Sequence, residues 1–137
     1  MLKYQSISHA KFRTNSHLVF FTKYRTSVLE EYEEGLQEMM IHLSHPRYSV
    51  IEVGIDKNHV HLIVSAKPTI TIGNMVAGIK KKTTAWVWEN YEDIMNSYYW
   101  KRKKTGRRVL WTRGYFCETI GNVSYEKILD YVKNQGK

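Results

Sequence analysis

The chain has 137 residues, of which 42% are hydrophobic and 25% charged, a composition typical of one globular domain rather than a disordered segment. Its 21 Lys and Arg residues outnumber 13 Asp and Glu residues, and the net charge of +8 favours a polyanionic partner, nucleic acid first and an anionic membrane surface second. The single cysteine, Cys117, excludes an internal disulfide, and no apolar run suits a membrane span or a signal peptide, so we expect a cytoplasmic protein.

The first half of the chain predicts three strands and one helix. Residues Asn15 to Lys23 are rich in β-branched and aromatic side chains and predict a strand. Apolar residues at three- and four-residue spacing predict an amphipathic helix from Ser27 to His45, which Pro46 ends. Strands are then predicted from Tyr48 to Ile55 and from His59 to Ser65. The polar turn between them indicates an antiparallel hairpin.

The second half begins with another helix. Thr69 or Thr71 could cap it, and apolar spacing carries it to about Asn90. The segment from Ser97 to Arg108 is aromatic and then basic, and it predicts a loop or a short hairpin arm.

A fourth strand and a last helix complete the predicted order. The strand lies around Tyr115 to Thr119, and Ser124 can cap a helix from Tyr125 to Gln135. The first six elements follow the split β-α-β-β-α-β order of the ferredoxin-like fold. We therefore expect one α+β domain over residues 1–137, an antiparallel sheet with helices packed on it and a C-terminal helix.

The stretch KNHVHLIV, residues 57–64, places two histidines in an apolar strand. Side chains alternate along a strand, so His59 and His61 share one face, about 7 Å apart, from which both can reach one metal ion. The alternative is a pair of partly exposed histidines without a ligand. On the last helix, Tyr131 and Gln135 lie four residues apart on one face, a spacing that is weak evidence alone.

Five motifs in order give the chain its resemblance to a known family. They are HLVFFTKYR (residues 17–25), NHVHLIV (58–64), IGNMVAGIKKKTT (72–84), LWTRGYFCETIG (110–121) and YVKNQ (131–135). Together they resemble the single-tyrosine transposases of the IS200/IS605 group, in the HUH endonuclease superfamily. NHVHLIV is similar to the HUH motif, and YVKNQ falls where the family carries its nucleophile and a third metal ligand.

The resemblance implies a DNA transposase that acts on single-stranded DNA hairpins at the ends of an insertion sequence. His59, His61 and Gln135 would hold Mg²⁺ or Mn²⁺, and Tyr131 would attack phosphorus to give a 5′-phosphotyrosine and a free 3′-hydroxyl. Tyr125 is the rival nucleophile, but on a helix it lies roughly 80° round from Gln135, about twice as far as Tyr131 does. The family further implies a homodimer in the nucleoid, with neither a nucleotide cofactor nor a membrane partner.

Basic and aromatic residues supply the predicted DNA contacts. Phosphate contacts are expected from Lys80, Lys81, Lys82, Lys101, Arg102, Lys103, Lys104, Arg107 and Arg108. Trp100, with Tyr98 and Tyr99, could stack on unpaired bases. The alternative is a solvated charged loop with aromatics that belong to the core.

Two other functions fit parts of the sequence. A non-catalytic ferredoxin-like nucleic-acid-binding module would account for the charge and fold, and it would need no metal. A related HUH nickase that acts on repeated palindromes or replication origins is the second alternative. Replication-type members often carry two tyrosines on the catalytic helix, whereas Tyr125 and Tyr131 are six residues apart and do not share a face.

Overall fold

The computed structural model describes residues 13–100, 107–120, 130 and 132–134. Within these ranges the strands are β1 (Thr14–Phe21), β2 (Ser44–His45), β3 (Tyr48–Ile55), β4 (His59–Ala66) and β5 (Phe116–Thr119). The α-helices are α1 (Glu33–Ile41), α2 (Ile72–Asn90) and α3 (Glu92–Tyr98), and short 3₁₀ turns span Lys23–Arg25 and Val28–Glu31.

The described strands form one antiparallel sheet in the order β2-β3-β4-β1-β5. Leaving aside the two-residue β2, the predicted first strand lies between the third and the fourth, as the split βαβ order requires. The expected ferredoxin-like α+β fold is confirmed.

One face of the sheet is covered by α1 and α2. Val60, Leu62 and Val64 alternate along β4 and are fully buried in the main core. From α2, Met75 and Ile79 are fully buried in the same core. The alternation of β4 therefore separates an apolar face from the face that carries the histidines, as predicted.

A smaller cluster covers part of the opposite face. Ile63, which follows His61 by two residues on the same face, packs with Ile120 and Val132. Val132 is fully buried, so the described end of the chain lies against the sheet face that carries His61.

The first predicted helix is wrong at both ends. Its start is the 3₁₀ turn Val28–Glu31, and Tyr32, with φ of −147°, separates that turn from α1. The Tyr32 ring is buried against Tyr91, with ring centroids 4.9 Å apart, and this packing outweighs helix continuity. Its end is Ile41, not His45, because the chain must leave the helix for β2 to pair with β3.

The second predicted helix is confirmed, together with its cap at Thr71. The Thr71 hydroxyl accepts a hydrogen bond from the Asn74 backbone N–H at 3.1 Å. Helix α3 was not predicted, and it includes Ser97 and Tyr98, which the sequence assigned to a loop or arm. The sequence did not indicate α3 because this short helix is stabilised by tertiary packing, in which Met95 is fully buried.

The last two predicted elements fall at the edge of what is described. The fourth strand is confirmed as Phe116–Thr119. In the predicted last helix, Asp130, Val132 and Lys133 are helical, and the Asn134 N–H donates to the Asp130 carbonyl at 3.1 Å. The rest of that helix lies outside the described residues. Among the described helices, none combines the length and apolar character needed to cross a membrane.

Candidate active site

The two histidines of the HVH stretch meet at the start of β4. His59 pairs across the sheet with Phe21, and His61 pairs with Val19. Their imidazole rings face each other edge-on, with centroids 5.1 Å apart and planes inclined by 70°. His61 is only 7% exposed, so it is a buried polar side chain rather than a surface histidine.

A third histidine belongs to this cluster, and the sequence analysis missed it. His17 on β1 stacks on His61 with ring centroids 5.1 Å apart and planes inclined by 15°. Its Nε2 lies 2.9 Å from His61 Nδ1, within hydrogen-bond distance. The only signal in the sequence is that both residues lie in predicted strands, since the register between β1 and β4 that joins them depends on tertiary pairing.

The other histidine also has a partner inside the protein. His59 Nδ1 lies 2.8 Å from the side-chain oxygen of Asn58. Asn58 is fixed in turn, because its backbone carbonyl accepts from the Thr22 N–H at 2.9 Å. Both imidazoles are thus held at Nδ1 by protein atoms.

Burial keeps the three imidazoles uncharged at neutral pH. It is the main cause that lowers the pKa of His61 to about 4, and the neighbouring His17 and His59 add to the effect. Burial also lowers the pKa of His59 and of His17, although Glu118 opposes it for His17. Neutral imidazole is the form that can coordinate a metal.

The geometry of His59 and His61 fits a shared divalent ion. With nitrogen–metal bonds of about 2.1 Å, two imidazoles on one ion place their centroids roughly 5 Å apart, and these lie 5.1 Å apart. Within the described ranges, no group of three or more His, Cys, Asp or Glu side chains converges as a metal site. At least one further ligand is therefore needed from outside that set.

A cation lies beside this site. The Arg25 guanidinium is 3.8 Å from the centroid of the Phe21 ring, and that ring is 5.1 Å from the His59 ring. Tyr24 and Arg25 have φ of 61° and 53°, a left-handed conformation that is uncommon for residues other than glycine. This turn brings Arg25 over the Phe21 ring, and its charge lowers the pKa of His59, whereas the nearby Asp56 raises that pKa.

Tyr131 and Gln135, the predicted nucleophile and third ligand, lie outside the described residues, as do Lys101, Arg102, Lys103 and Lys104. The described neighbour Val132 packs on Ile63. The roles predicted for Tyr131 and Gln135 stay predictions.

Basic side chains line a groove of about 460 Å³ between α2 and the segment before β5. Lys80, Lys81 and Arg108 were predicted DNA contacts, and the groove brings them together with Arg113, which the sequence analysis did not single out. The groove reaches the histidine end of the sheet, because the Thr112 N–H donates to the Phe21 carbonyl at 2.8 Å.

Lys80 differs from its neighbours within this groove. Its ammonium donates to the carbonyl oxygens of Thr112, Arg113 and Gly114 at 2.9, 3.2 and 2.9 Å. Burial lowers its pKa. These contacts indicate that Lys80 holds the loop before β5, whereas Lys81 is exposed.

The remaining described contacts predicted for DNA are dispersed. Lys82 lines a different groove with Glu38 and donates to the Ser44 carbonyl at 3.3 Å. Arg107 is exposed. The predicted basic cluster of α2 is thus divided between two surfaces.

The three aromatic residues after α3 have different surroundings. Trp100 is 64% exposed, as base stacking requires. The stacking prediction is wrong for Tyr99, which is 2% exposed because its ring fills the core. The Tyr98 hydroxyl donates to the Glu31 carboxylate at 2.6 Å, which raises the pKa of Tyr98 to about 12.

Comparison with known proteins identifies the family. Residues 10–135 match the family model described as IS200-like transposase, which is nearly the whole chain. The chain belongs to the IS200-like transposase family. The resemblance noted from the five motifs is therefore confirmed.

Two curated relatives match most of this transposase. The transposase for insertion sequence element IS200 from Salmonella typhimurium is 24% identical over 133 residues, which cover 96% of this chain and 82% of the relative. The ISDra2 transposase TnpA from Deinococcus radiodurans is 27% identical over 121 residues, which cover 87% and 81%.

Two solved structures share the fold of this transposase. The crystal structure of a candidate transposase from Deinococcus radiodurans R1 has a TM-score of 0.67 at 21% identity and covers 99% of this chain and 98% of its own. A REP-associated tyrosine transposase bound to a REP hairpin has a TM-score of 0.57 at 14% identity, and the coverage is 96% and 70%.

Proposed function

We propose that this IS200-like transposase cleaves and rejoins single-stranded DNA at hairpin-marked ends of an insertion sequence, through a covalent 5′-phosphotyrosine at Tyr131. The observation that carries the proposal is the pair of neutral imidazoles, His59 and His61, which lie on one sheet face with ring centroids 5.1 Å apart. A binding module would not require two neutral imidazoles arranged in this way.

In the proposed cleavage step, the Tyr131 phenol oxygen forms a bond to the scissile phosphorus. The bond from phosphorus to the 3′-oxygen breaks, and its electron pair stays on that oxygen. The phenol loses one proton and the 3′-oxygen gains one, so the products are a 5′-phosphotyrosine and a 3′-hydroxyl. Because the phosphotyrosine is itself a phosphodiester, a later 3′-hydroxyl can reverse the step without a nucleotide cofactor.

The proposed metal ligands are His59, His61 and Gln135. When bound, Mg²⁺ or Mn²⁺ would act as a Lewis acid on the scissile phosphate. Imidazole is a softer ligand than Mg²⁺ prefers, so we expect Mn²⁺ to bind more tightly. The packing of Val132 on Ile63, two residues from His61, supports a catalytic helix that lies against the histidine face.

The proposed DNA path runs along the basic groove. Lys81, Arg108 and Arg113 line it, and within the described part of the chain they do not make the carbonyl contacts that occupy Lys80. Exposed Trp100 offers a base-stacking surface. Hairpin DNA is the proposed substrate because a structural relative is bound to a REP hairpin. As the family resemblance implies, we expect the active protein to be a homodimer.

The test is a covalent-adduct assay with hairpin oligonucleotides labelled at the 5′ or the 3′ end, with Mn²⁺, with Mg²⁺ or with chelator. We expect a denaturation-resistant adduct on the 3′ fragment, dependent on metal and lost in Tyr131→Phe and His61→Ala. Tyr125→Phe is the matched control and should keep the adduct. Tight hairpin binding without any adduct would instead support the non-catalytic module.

A further inference from the structure

The hydrogen-bond partners of the two proposed metal ligands determine which ring nitrogen carries the proton. For His59 the assignment is direct, because the Asn58 side-chain oxygen, 2.8 Å from Nδ1, can only accept. His59 is therefore protonated on Nδ1, and its Nε2 carries a lone pair.

For His61 two arrangements fit the 2.9 Å contact with His17. Either His61 Nδ1–H donates to His17 Nε2, or His17 Nε2–H donates to His61 Nδ1. In the second arrangement a neutral His61 carries its proton on Nε2, which then has no lone pair for a cation. Only the first arrangement gives His61 the same coordinating nitrogen as His59.

We propose that Asn58 and His17 are positioning residues that hold His59 and His61 as Nδ1–H tautomers, so that both Nε2 atoms can bind one divalent cation. The inference rests on the proposed metal-dependent function and extends it to two residues that are not ligands. Metal-bound histidines commonly donate their second ring N–H to a protein acceptor, and such partners affect metal affinity strongly. In this chain the acceptors are an amide and another imidazole.

The fold fixes Asn58 in the position that this role requires. Its carbonyl accepts from the Thr22 N–H at 2.9 Å, and Thr22 is fully buried. The Asp56 N–H donates to the His59 carbonyl at 2.9 Å and closes the hairpin turn. The amide therefore has few ways to move away from the His59 ring.

The sheet register fixes His17. It pairs with Ile63, and His61 pairs with Val19, so the two imidazoles are diagonal neighbours on one face. His17 is 9% exposed and lies between His61 and the Phe116 ring, whose centroid is 6.0 Å away. The 2.9 Å contact of Nε2 with His61 on one side and the edge-to-face contact with Phe116 on the other restrict the orientation of the ring.

The first test uses the unsubstituted, metal-free protein. Nitrogen-15 NMR of the imidazoles distinguishes protonated Nδ1 from protonated Nε2, and we expect His59 and His61 both to be protonated on Nδ1. A proton on Nε2 of His59 would overturn the role proposed for Asn58, and a proton on Nε2 of His61 would overturn the role proposed for His17. The NMR measurement does not require catalysis. The tautomer proposal can therefore be contradicted while the covalent adduct forms, and it can be supported while no adduct forms.

The second test measures Mn²⁺ affinity by electron paramagnetic resonance in variants whose folding is checked by circular dichroism. His17→Ala and Asn58→Ala should each weaken binding by about tenfold or more. His17→Gln should restore affinity to within about threefold, because its amide oxygen can accept in place of Nε2. His45→Ala is the control, since His45 also stacks, on Tyr48 at 4.4 Å, but away from the site.

Two outcomes of the affinity test contradict the proposal. One is unchanged Mn²⁺ affinity in folded His17→Ala and Asn58→Ala. The other is a His17→Gln variant that binds as weakly as His17→Ala, which would mean that the ring's packing matters and its acceptor does not.

Discussion

Replacing Lys80 by methionine separates a structural lysine from a DNA-contacting one. Lys80 donates to three carbonyls of the loop before β5, and its ammonium lies 5.4 Å from the Phe20 ring centroid. Methionine keeps an unbranched apolar stem and removes the three donors. The adjacent Lys81 is exposed, so Lys81→Met is the matched control.

The expected cost follows from those three contacts. A hydrogen bond to a charged group contributes about 1.5–3 kcal/mol. The three here share one ammonium, and water can replace it at the more exposed carbonyls, so they are not additive. We therefore expect Lys80→Met to lower the free energy of unfolding by about 2–3 kcal/mol, while Lys81→Met changes it by less than about 0.5 kcal/mol.

Urea denaturation at pH 7, followed by tryptophan fluorescence and circular dichroism, measures both variants against the parent protein. If Lys80→Met and Lys81→Met have unfolding free energies within about 0.5 kcal/mol of each other, the carbonyl contacts do not stabilise the loop. An equal loss of DNA affinity in both variants, without a difference in stability, would indicate that Lys80 contacts DNA phosphate, as the sequence predicted.

Three further predictions concern charge and buried hydrogen bonds. Because the folded state lowers the pKa of His61 from 6.5 to about 4, the unfolded chain takes up the proton first. The free energy of unfolding should therefore decrease by roughly 3 kcal/mol at most as the pH falls from 6.5 to about 4. His61→Gln should reduce this pH dependence, as measured by urea denaturation at a series of pH values. Lys81→Met and Arg113→Met should each reduce the slope of log affinity against log salt for single-stranded DNA by about 0.7, measured by fluorescence anisotropy; unchanged slopes would exclude the groove as the DNA path. Trp111→Phe removes the 2.8 Å bond from Nε1 to the buried Thr83 hydroxyl, and thermal unfolding should show a loss of about 1–3 kcal/mol; an unchanged midpoint would contradict it.

Local patterns in the sequence determined most of the fold. The alternation in β4 separated the histidine face from the apolar face, and the threonine cap marked the start of α2. Both signals depend on residues within one element. The first helix was wrong because Tyr32 is held by the distant Tyr91, a contact that helical periodicity does not report.

The site was predictable only in part for the same reason. His59 and His61 could be found because they lie two residues apart on one strand. His17 could not, because its contact with His61 depends on the register between β1 and β4. Lys80 was assigned to DNA on charge alone, since the three carbonyls that it contacts lie 32 to 34 residues further along the chain.

The most direct test of the proposed function is to locate the covalent bond. The protein is incubated with a hairpin oligonucleotide and Mn²⁺, the adduct is digested with protease and nuclease, and the modified peptide is sequenced by mass spectrometry. The proposal predicts a nucleotide 5′-phosphate on Tyr131. A nucleotide on Tyr125 or on any other residue, or an adduct that forms equally well with chelator, would contradict the proposed function.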